Sequence, residues 1–251
     1  MIQADILVIL ATFNGRDRLA RALDGYINQI ETNASWRIIV VDNGSTDNTA
    51  ESLEIYKSKL DMHILTEKKP GKNIALNCAM RVASAKLYVF TDDDAIPAPD
   101  FIDQWSKCLS HHQEFEVFGG TVIPLFDSER PDWLDPDALP FDILYAQNIR
   151  KDGAIAPSSI FGPNMAVRGA IFNGDRWFDE NIGPNSTDKM YAMGSETEFC
   201  VRICNEGAKS YFLGSPVVHH IVRPEQMTRE FVFARARRMG RGYARMLHDP
   251  L

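Results

Sequence analysis

No stretch of this sequence is apolar for long enough to cross a membrane. The longest run, "ILVILATF" from Ile6 to Phe13, falls well below the roughly 20 residues that a spanning helix needs. No basic segment precedes it in the manner of a signal peptide, and the chain is read as cytosolic. Cysteine is scarce: Cys78, Cys108, Cys200 and Cys204 are scattered without the close pairing of a zinc site, and they read as reduced, buried thiols. Positive charge is short as well. A formal net charge of -7 argues against nucleic acid as the main partner, because such binding is dominated by Lys and Arg at phosphates. There is no internal repeat and no low-complexity linker.

What remains is 251 residues, 45% of them hydrophobic, which is enough to build a real core. In the first hundred, short β-rich runs ("ILVILATF", "WRIIVVD", "KLYVFTD") alternate with segments of helical period. Strands separated by helices imply parallel crossovers and an α/β fold. Leu19, Leu23, Tyr26, Ile27 and Ile30 share one helical face behind Asn14 as N-cap. A second helix opens at Ser45 with Ala50, Leu53 and Tyr56 facing inward, and Ala75, Ala79 and Val82 mark a third. A helix over Phe101 to Leu109 and a strand in "EVFGGTVIP" follow. Residues 126–160, rich in Pro and Asp, read as a long surface excursion of the kind that forms lids or substrate sites. Glu196 to Asn205 predicts a helix closed by Gly207.

In an open parallel sheet, the loops at the carboxyl ends of the strands line the ligand crevice. Here they read "ATFNGR", "VDNGSTDNT" and "TDDDA". Turn and cap chemistry accounts for Asn43, Gly44 and Ser45. It does not account for three consecutive acids. Asp92 and Asp94, two residues apart beyond a strand end, can address one cation while the chain turns between them, and hard oxygen donors in small number suit Mg²⁺ or Mn²⁺. The alternative is an acid cluster favoured by a helix dipole.

Several segments in order then resemble the family 2 glycosyltransferases: "ILATFNGRDRLARAL", "VVDNGSTDNT", "KKPGKNIALNCAM" and "FTDDDA", with looser matches in "GSETEFCVRICNEGAK" and "VVHHIVRPEQMT". The resemblance covers about Leu7 to Thr228. It implies a GT-A fold, a Rossmann-like, mainly parallel sheet flanked by helices with a smaller acceptor-side subregion. It also implies a catalytic unit over 1–227, divided into a nucleotide-binding half (1–98) and an acceptor-side half (99–227), with 228–251 as an amphipathic basic helix. The donor would be a nucleotide diphosphate sugar, most commonly of UDP, and the acceptor a hydroxyl of a glycan or lipid-linked molecule, with inversion. Carried over by position, Ala11, Thr12 and Asn14 would lie against the nucleotide and Asp42 would bond the base. Lys72 and Asn77 would shape the base and ribose pocket, Asp92 would face the ribose or metal, Asp93 would bind the nucleotide sugar, and Asp94 would hold the metal. Asn164 falls where relatives contact donor sugar or acceptor. Each of Thr12, Lys72 and Asn77 has a plainer reading, as a strand end, a solvated charge and a helix residue.

In the family's Gly-Glu-Asp-x-Glu pattern this chain has "GSETE", Gly194 to Glu198, which makes Glu196 the expected base. Ser195 and Glu198 also match a capping box, which would tie Glu198 to the backbone and leave Glu196 free; a shifted register would make Glu198 the base instead. Of His219 and His220 at most one points inward, since neighbours on a strand face opposite sides, and the count from "RPEQMT" favours His220 as a metal ligand. From Thr228 onward six arginines meet two acids. The segment predicts a helix with Val232, Met239, Tyr243 and Met246 on one side and Arg237, Arg241 and Arg245 on the other, either a peripheral membrane contact or a docked helix with solvated arginines. Two other functions stay open: a nucleotidyltransferase, for which "ATFNGRDR" is a poor phosphate loop, and a nucleotide-sugar-binding module without a base.

Overall fold

A computed structural model describes residues 1–174 and 176–248; the last three residues assigned to the basic tail, 249–251, lie outside the described residues. The chain runs β1 (Ile2–Thr12), α1 (Arg16–Ile27), β2 (Trp36–Asp42), α2 (Thr49–Tyr56), β3 (Met62–Thr66), α3 (Lys72–Val82), β4 (Ala83–Asp92), β5 (Ala95–Pro97), α4 (Phe101–Lys107) and β6 (Val117–Phe126). It continues through α5 (Phe141–Tyr145), β7 (Gly153–Ala154), β8 (Met165–Arg168), α6 (Ser195–Asn205), β9 (Ser210–Val222) and α7 (Arg229–His248). The fold is α/β, with one central sheet in the order β3-β2-β1-β4-β8-β6-β9-β5 and β7 added on β9. Strands β3, β2, β1 and β4 run parallel, whereas β8, β5 and β7 enter antiparallel.

The continuous apolar character of β1 follows from helices on both faces: Ile6 to Leu10 are all fully buried. One layer packs Leu19, Tyr26, Trp105 and Phe118 beneath α1, α2 and α4. The opposite layer packs Ala79, Phe178 and Phe199 beneath α3 and α6. Register then aligns the strand ends, with Thr12 opposite Asp42 and Ala11 opposite Asp92, so three polar loops meet at one rim. The acidic turn does a second job. It carries the chain from β4 into β5, which pairs with β9 so that Ala95 lies opposite His220.

Several expectations need correcting. Helix α1 is capped at Gly15, not Asn14, and buries Leu19, Ala22, Leu23 and Tyr26, while Ile27 and Ile30 are exposed. Helix α2 begins at Thr49, which is buried in place of the exposed Ala50, and Val82 at the end of α3 is also exposed. Strand β3 has no counterpart in the sequence reading; it is a five-residue edge strand with only Met62 buried, too short and too half-covered to leave a period. Residues 126–160 are more than a surface excursion. Leu134, Phe141, Leu144 and Tyr145 form a third core with Val222 and Met227, and Phe231 and Val232 of α7 close it.

Among the described residues no helix is long and apolar enough to cross a membrane. On α7, Tyr243 is exposed and not docked with Met239 and Met246, and Arg245 turns inward to Asp179 (3.0 Å), because Gly242 lets the helix sit against Met193.

Candidate active site

The rim loops, the acidic turn, the start of α6 and the satellite core enclose a cavity of about 470 Å³. Five carboxylates line it, Asp92, Asp93, Asp94, Asp142 and Glu196, and all but Asp142 meet a basic side chain of the protein. Lys72, the first residue of α3, bridges two of them, with Nζ 2.5 Å from Asp92 Oδ1 and 2.7 Å from Glu196 Oε1. Burial works against charging this ammonium, but Asp92 and Glu196 outweigh it and raise its pKa. Asp93 accepts from Thr12 Oγ1 (2.5 Å) and Arg18 Nε (2.8 Å), and burial, helped by Asp94, pushes its carboxyl up to about 6 against the pull of Arg18. Asp94 Oδ1 is 3.3 Å from His220 Nε2; burial opposes its charge, yet His220 holds it down to about 2.

The acidic triplet is therefore offset by basic groups of the protein before any ion is considered. Asp92, Asp93, Asp94 and Glu196 directly meet two permanent cations, Lys72 and Arg18, and one imidazole, and Arg223 and Arg235 stand on the same wall without touching them.

Asp92, Asp94 and His220 each present a ligand atom within 4.8 Å of the others. His220 Nδ1 lies 2.8 Å from the Tyr145 carbonyl oxygen, which can only accept, so Nδ1 carries a proton and Nε2 is the nitrogen turned to the acids; protonated, Nε2 donates to Asp94, whose charge raises the His220 pKa against burial, and without that proton it offers a lone pair to a metal. Two carboxylates and an imidazole so oriented fit a hard or borderline divalent ion.

Glu196 projects from the first turn of α6 toward this group. Its Oε2 accepts from Ser195 Oγ (2.8 Å); burial would raise its pKa, but Lys72 and these hydrogen bonds hold it down to about 2. A Cβ at Gly162 would collide with its carboxylate, so the chain there passes close by for want of a side chain. The expected capping box is absent. Gly194, in the left-handed region at φ 100°, takes the N-cap, which moves Ser195 one place into the helix, and Glu198 pairs instead with Arg202 (2.6 Å).

Of the other expected residues, Ala11 and Thr12 line the cavity, while Asn14, Asp42, Asn77 and Asn164 do not. Asn14 Oδ1 accepts from Thr46 N (2.8 Å) and Asp42 Oδ1 from Ser45 N (2.9 Å), so both shape the rim loops. Asn77 exchanges bonds with the Phe178 backbone (3.0 and 3.1 Å), and Asn164 donates to Thr121 O and Pro216 O (both 2.9 Å). The structure brings Lys72 to the acids, against Asp92 and Glu196. Sequence reasoning missed Arg18, Arg223 and Arg235, all on the cavity wall. The arginine excess of the tail was a signal for Arg235, though not for which way it points.

The sequence model of Glycosyl transferase family 2 matches residues 7–169. An uncharacterized glycosyltransferase of Bacillus subtilis, YfnE, is 32% identical over 114 residues, covering 45% of this chain and 29% of its own. A poly(ribitol-phosphate) beta-glucosyltransferase of Bacillus spizizenii is 25% identical over 138 residues, covering 51% of this chain and 22% of its own. The chain thus spans less than a third of the length of these curated relatives. Among solved structures, the mannosyltransferase PcManGT of Pyrobaculum calidifontis, in complex with GDP-Man and Mn²⁺, superposes with TM-score 0.71 at 20% identity, over 100% of this chain and 66% of its own. Residues 1–349 of S. aureus TarS, in complex with UDP, give TM-score 0.64 at 17% identity, over 92% of this chain and 64% of that one. Both share its fold.

Proposed function

The chain belongs to Glycosyl transferase family 2, and we propose that it moves a sugar from a nucleoside diphosphate sugar to an acceptor hydroxyl, with inversion at the anomeric carbon. The observation that carries this reading is the convergence, in one cavity, of the Asp92, Asp94 and His220 donors with the carboxylate of Glu196. Asp92, Asp94 and His220 would hold Mn²⁺ or Mg²⁺. A bound divalent ion supplies positive charge against the diphosphate as it departs.

Glu196 accepts the proton of the acceptor hydroxyl, the oxygen attacks the anomeric carbon, and the bond from that carbon to the diphosphate oxygen breaks. With a pKa of about 2, Glu196 is ionised at neutral pH, and loosening the Lys72 contact strengthens it as a base. Thr12 and Ala11, at the β1 rim, take the nucleotide side, and the neighbouring loops behind Asn14, Asp42 and Asn77 set that wall. UDP is the preferred nucleotide, supported by the UDP bound to TarS, although the GDP-Man bound to PcManGT makes GDP the natural competitor. A glycan or lipid-linked acceptor accords with relatives named for poly(ribitol-phosphate) transfer. Residues 1–227, closed by the inner side of α7 where Arg235 and Met239 line the cavity, form the catalytic unit, working on the cytoplasmic side. The outer face of α7, where Phe233 and Tyr243 are exposed beside Arg237 and Arg241, is its contact with an anionic membrane surface.

The test is a panel of UDP-, GDP- and dTDP-sugars incubated with Mn²⁺, with the released product identified. Nucleoside diphosphate released only in the presence of metal is the expected result. Release of pyrophosphate would indicate a nucleotidyltransferase, and no release despite donor binding would indicate a binding module.

A further inference from the structure

Every cation on the cavity wall has an acidic partner except one. Lys72 is shared by Asp92 and Glu196, Arg18 is held by Asp93, and Arg223 pairs with Glu225 (3.2 Å). Arg235, from the second turn of α7, lines the same cavity and donates through Nε to the Ile143 carbonyl oxygen (2.8 Å). Among the described residues no carboxylate pairs with it. Burial lowers the pKa of this guanidinium, and Asp92 and Asp94 are among the groups that raise it again, so it lies within the field of the acidic turn. A largely enclosed guanidinium without a counter-ion, whose Nε is already committed to a backbone oxygen, keeps its two terminal nitrogens for an anion.

The position of Arg235 says which part of a donor that anion belongs to. The nucleoside end of the cavity is the rim of β1 and β2, with Phe13 and Asn43 on its wall. Strand β9 lies four places beyond β1 in the sheet, and the satellite core that carries α7 is built on its end. Asp94 and His220 lie where β5 pairs with β9. Resting on the donor reading above, we propose that Arg235 grips the distal phosphate of the donor diphosphate, the phosphate that leaves with the nucleotide, from the side opposite the nucleoside. Helix α7 is then a wall of the donor site as well as a terminal helix, and the Ile143 contact fixes the guanidinium against α5.

Calorimetry tests this with three probes in the presence of Mn²⁺: UDP, UMP and uridine, or the guanosine set if wild-type protein prefers GDP. For Arg235→Gln, UDP affinity falls about 30-fold, as for loss of a charge-assisted contact, while UMP and uridine change by less than about 3-fold. Arg235→Lys retains the charge without the fork and gives an intermediate loss for UDP alone. Melting curves and undiminished UMP binding identify folded protein. Parallel weakening of UDP and UMP would mean that Arg235 only braces α7 on Ile143, and equal UDP affinity in wild type and Arg235→Gln would remove the residue from the donor site; either overturns the proposal. If wild-type protein binds no nucleoside diphosphate at all, the donor reading itself fails, and this proposal with it.

Discussion

Two positions apart on α6, Glu196 and Glu198 meet different cations. Glu196 turns into the cavity against Lys72 and the bare backbone of Gly162, whereas Glu198 is clamped along the helix to Arg202. Glu196→Gln is expected to reduce initial transfer rates by about 10²- to 10⁴-fold with donor affinity within a few-fold of wild type. Glu198→Gln should cost about 2 kcal/mol in chemical denaturation, as for loss of a largely buried charged hydrogen bond, and leave turnover nearly unchanged. The reverse pattern in the rate measurements would transfer the base role to Glu198. Glu196 was pointed to by the resemblance of "GSETE" to the family's Gly-Glu-Asp-x-Glu pattern, and its side chain lines the cavity. The partner of Asp93 was not legible: Arg18 lies 75 positions away, and only the closure of α1 over the β4 turn brings it within 2.8 Å. The same holds for Asn77 and Asn164, whose amides serve backbone atoms that no local pattern identifies.

At the scale of elements, the satellite core does more than fill space. Tyr145 ends α5 and offers its carbonyl to His220, so packing around α5 sets which imidazole nitrogen faces Asp94. Leu144, 3% exposed in that core, touches none of the proposed ligands. Leu144→Ala should cost about 2–4 kcal/mol of stability and also weaken Mn²⁺ binding about 10-fold, because the orienting carbonyl loosens. Leu53→Ala on α2, buried in the layer beneath α1, should cost similar stability and leave Mn²⁺ affinity unchanged. Titration of Mn²⁺ into both variants separates the two effects; equal affinities would show that His220 is held without α5. The parallel strands were legible because burial on both faces writes an unbroken apolar run. The satellite core was not, since its apolar residues are spaced among prolines and acids and follow neither the helical nor the strand period.

Across the whole molecule, the proposed site extends beyond the best-marked half. The family's sequence model ends at residue 169, yet Glu196, His220 and Arg235 all lie beyond it, on elements assembled around β9 and α7. What the sequence does carry for this half is a charge imbalance, and α7 divides that imbalance between its two sides. Arg235 and Arg245 turn inward to Ile143 and Asp179, while Arg237 and Arg241 are exposed and stand with Phe233 (65% exposed) and Tyr243 (52%) on the outside. Two exposed aromatics with flanking guanidiniums are what an interfacial helix presents to lipid, where each arginine near an anionic surface contributes about 1 kcal/mol and an aromatic ring inserts at headgroup depth. Sedimentation with vesicles containing phosphatidylglycerol should therefore carry the protein down, and neutral phosphatidylcholine vesicles should not. Replacing Phe233 and Tyr243 by Ser together should lower the bound fraction to the neutral-vesicle level, while binding of the donor stays at the wild-type level because neither ring lines the cavity. Sedimentation that ignores lipid charge, or is unaffected by the double replacement, would leave the outer arginines as a solvated face and confine the work of α7 to its inner side.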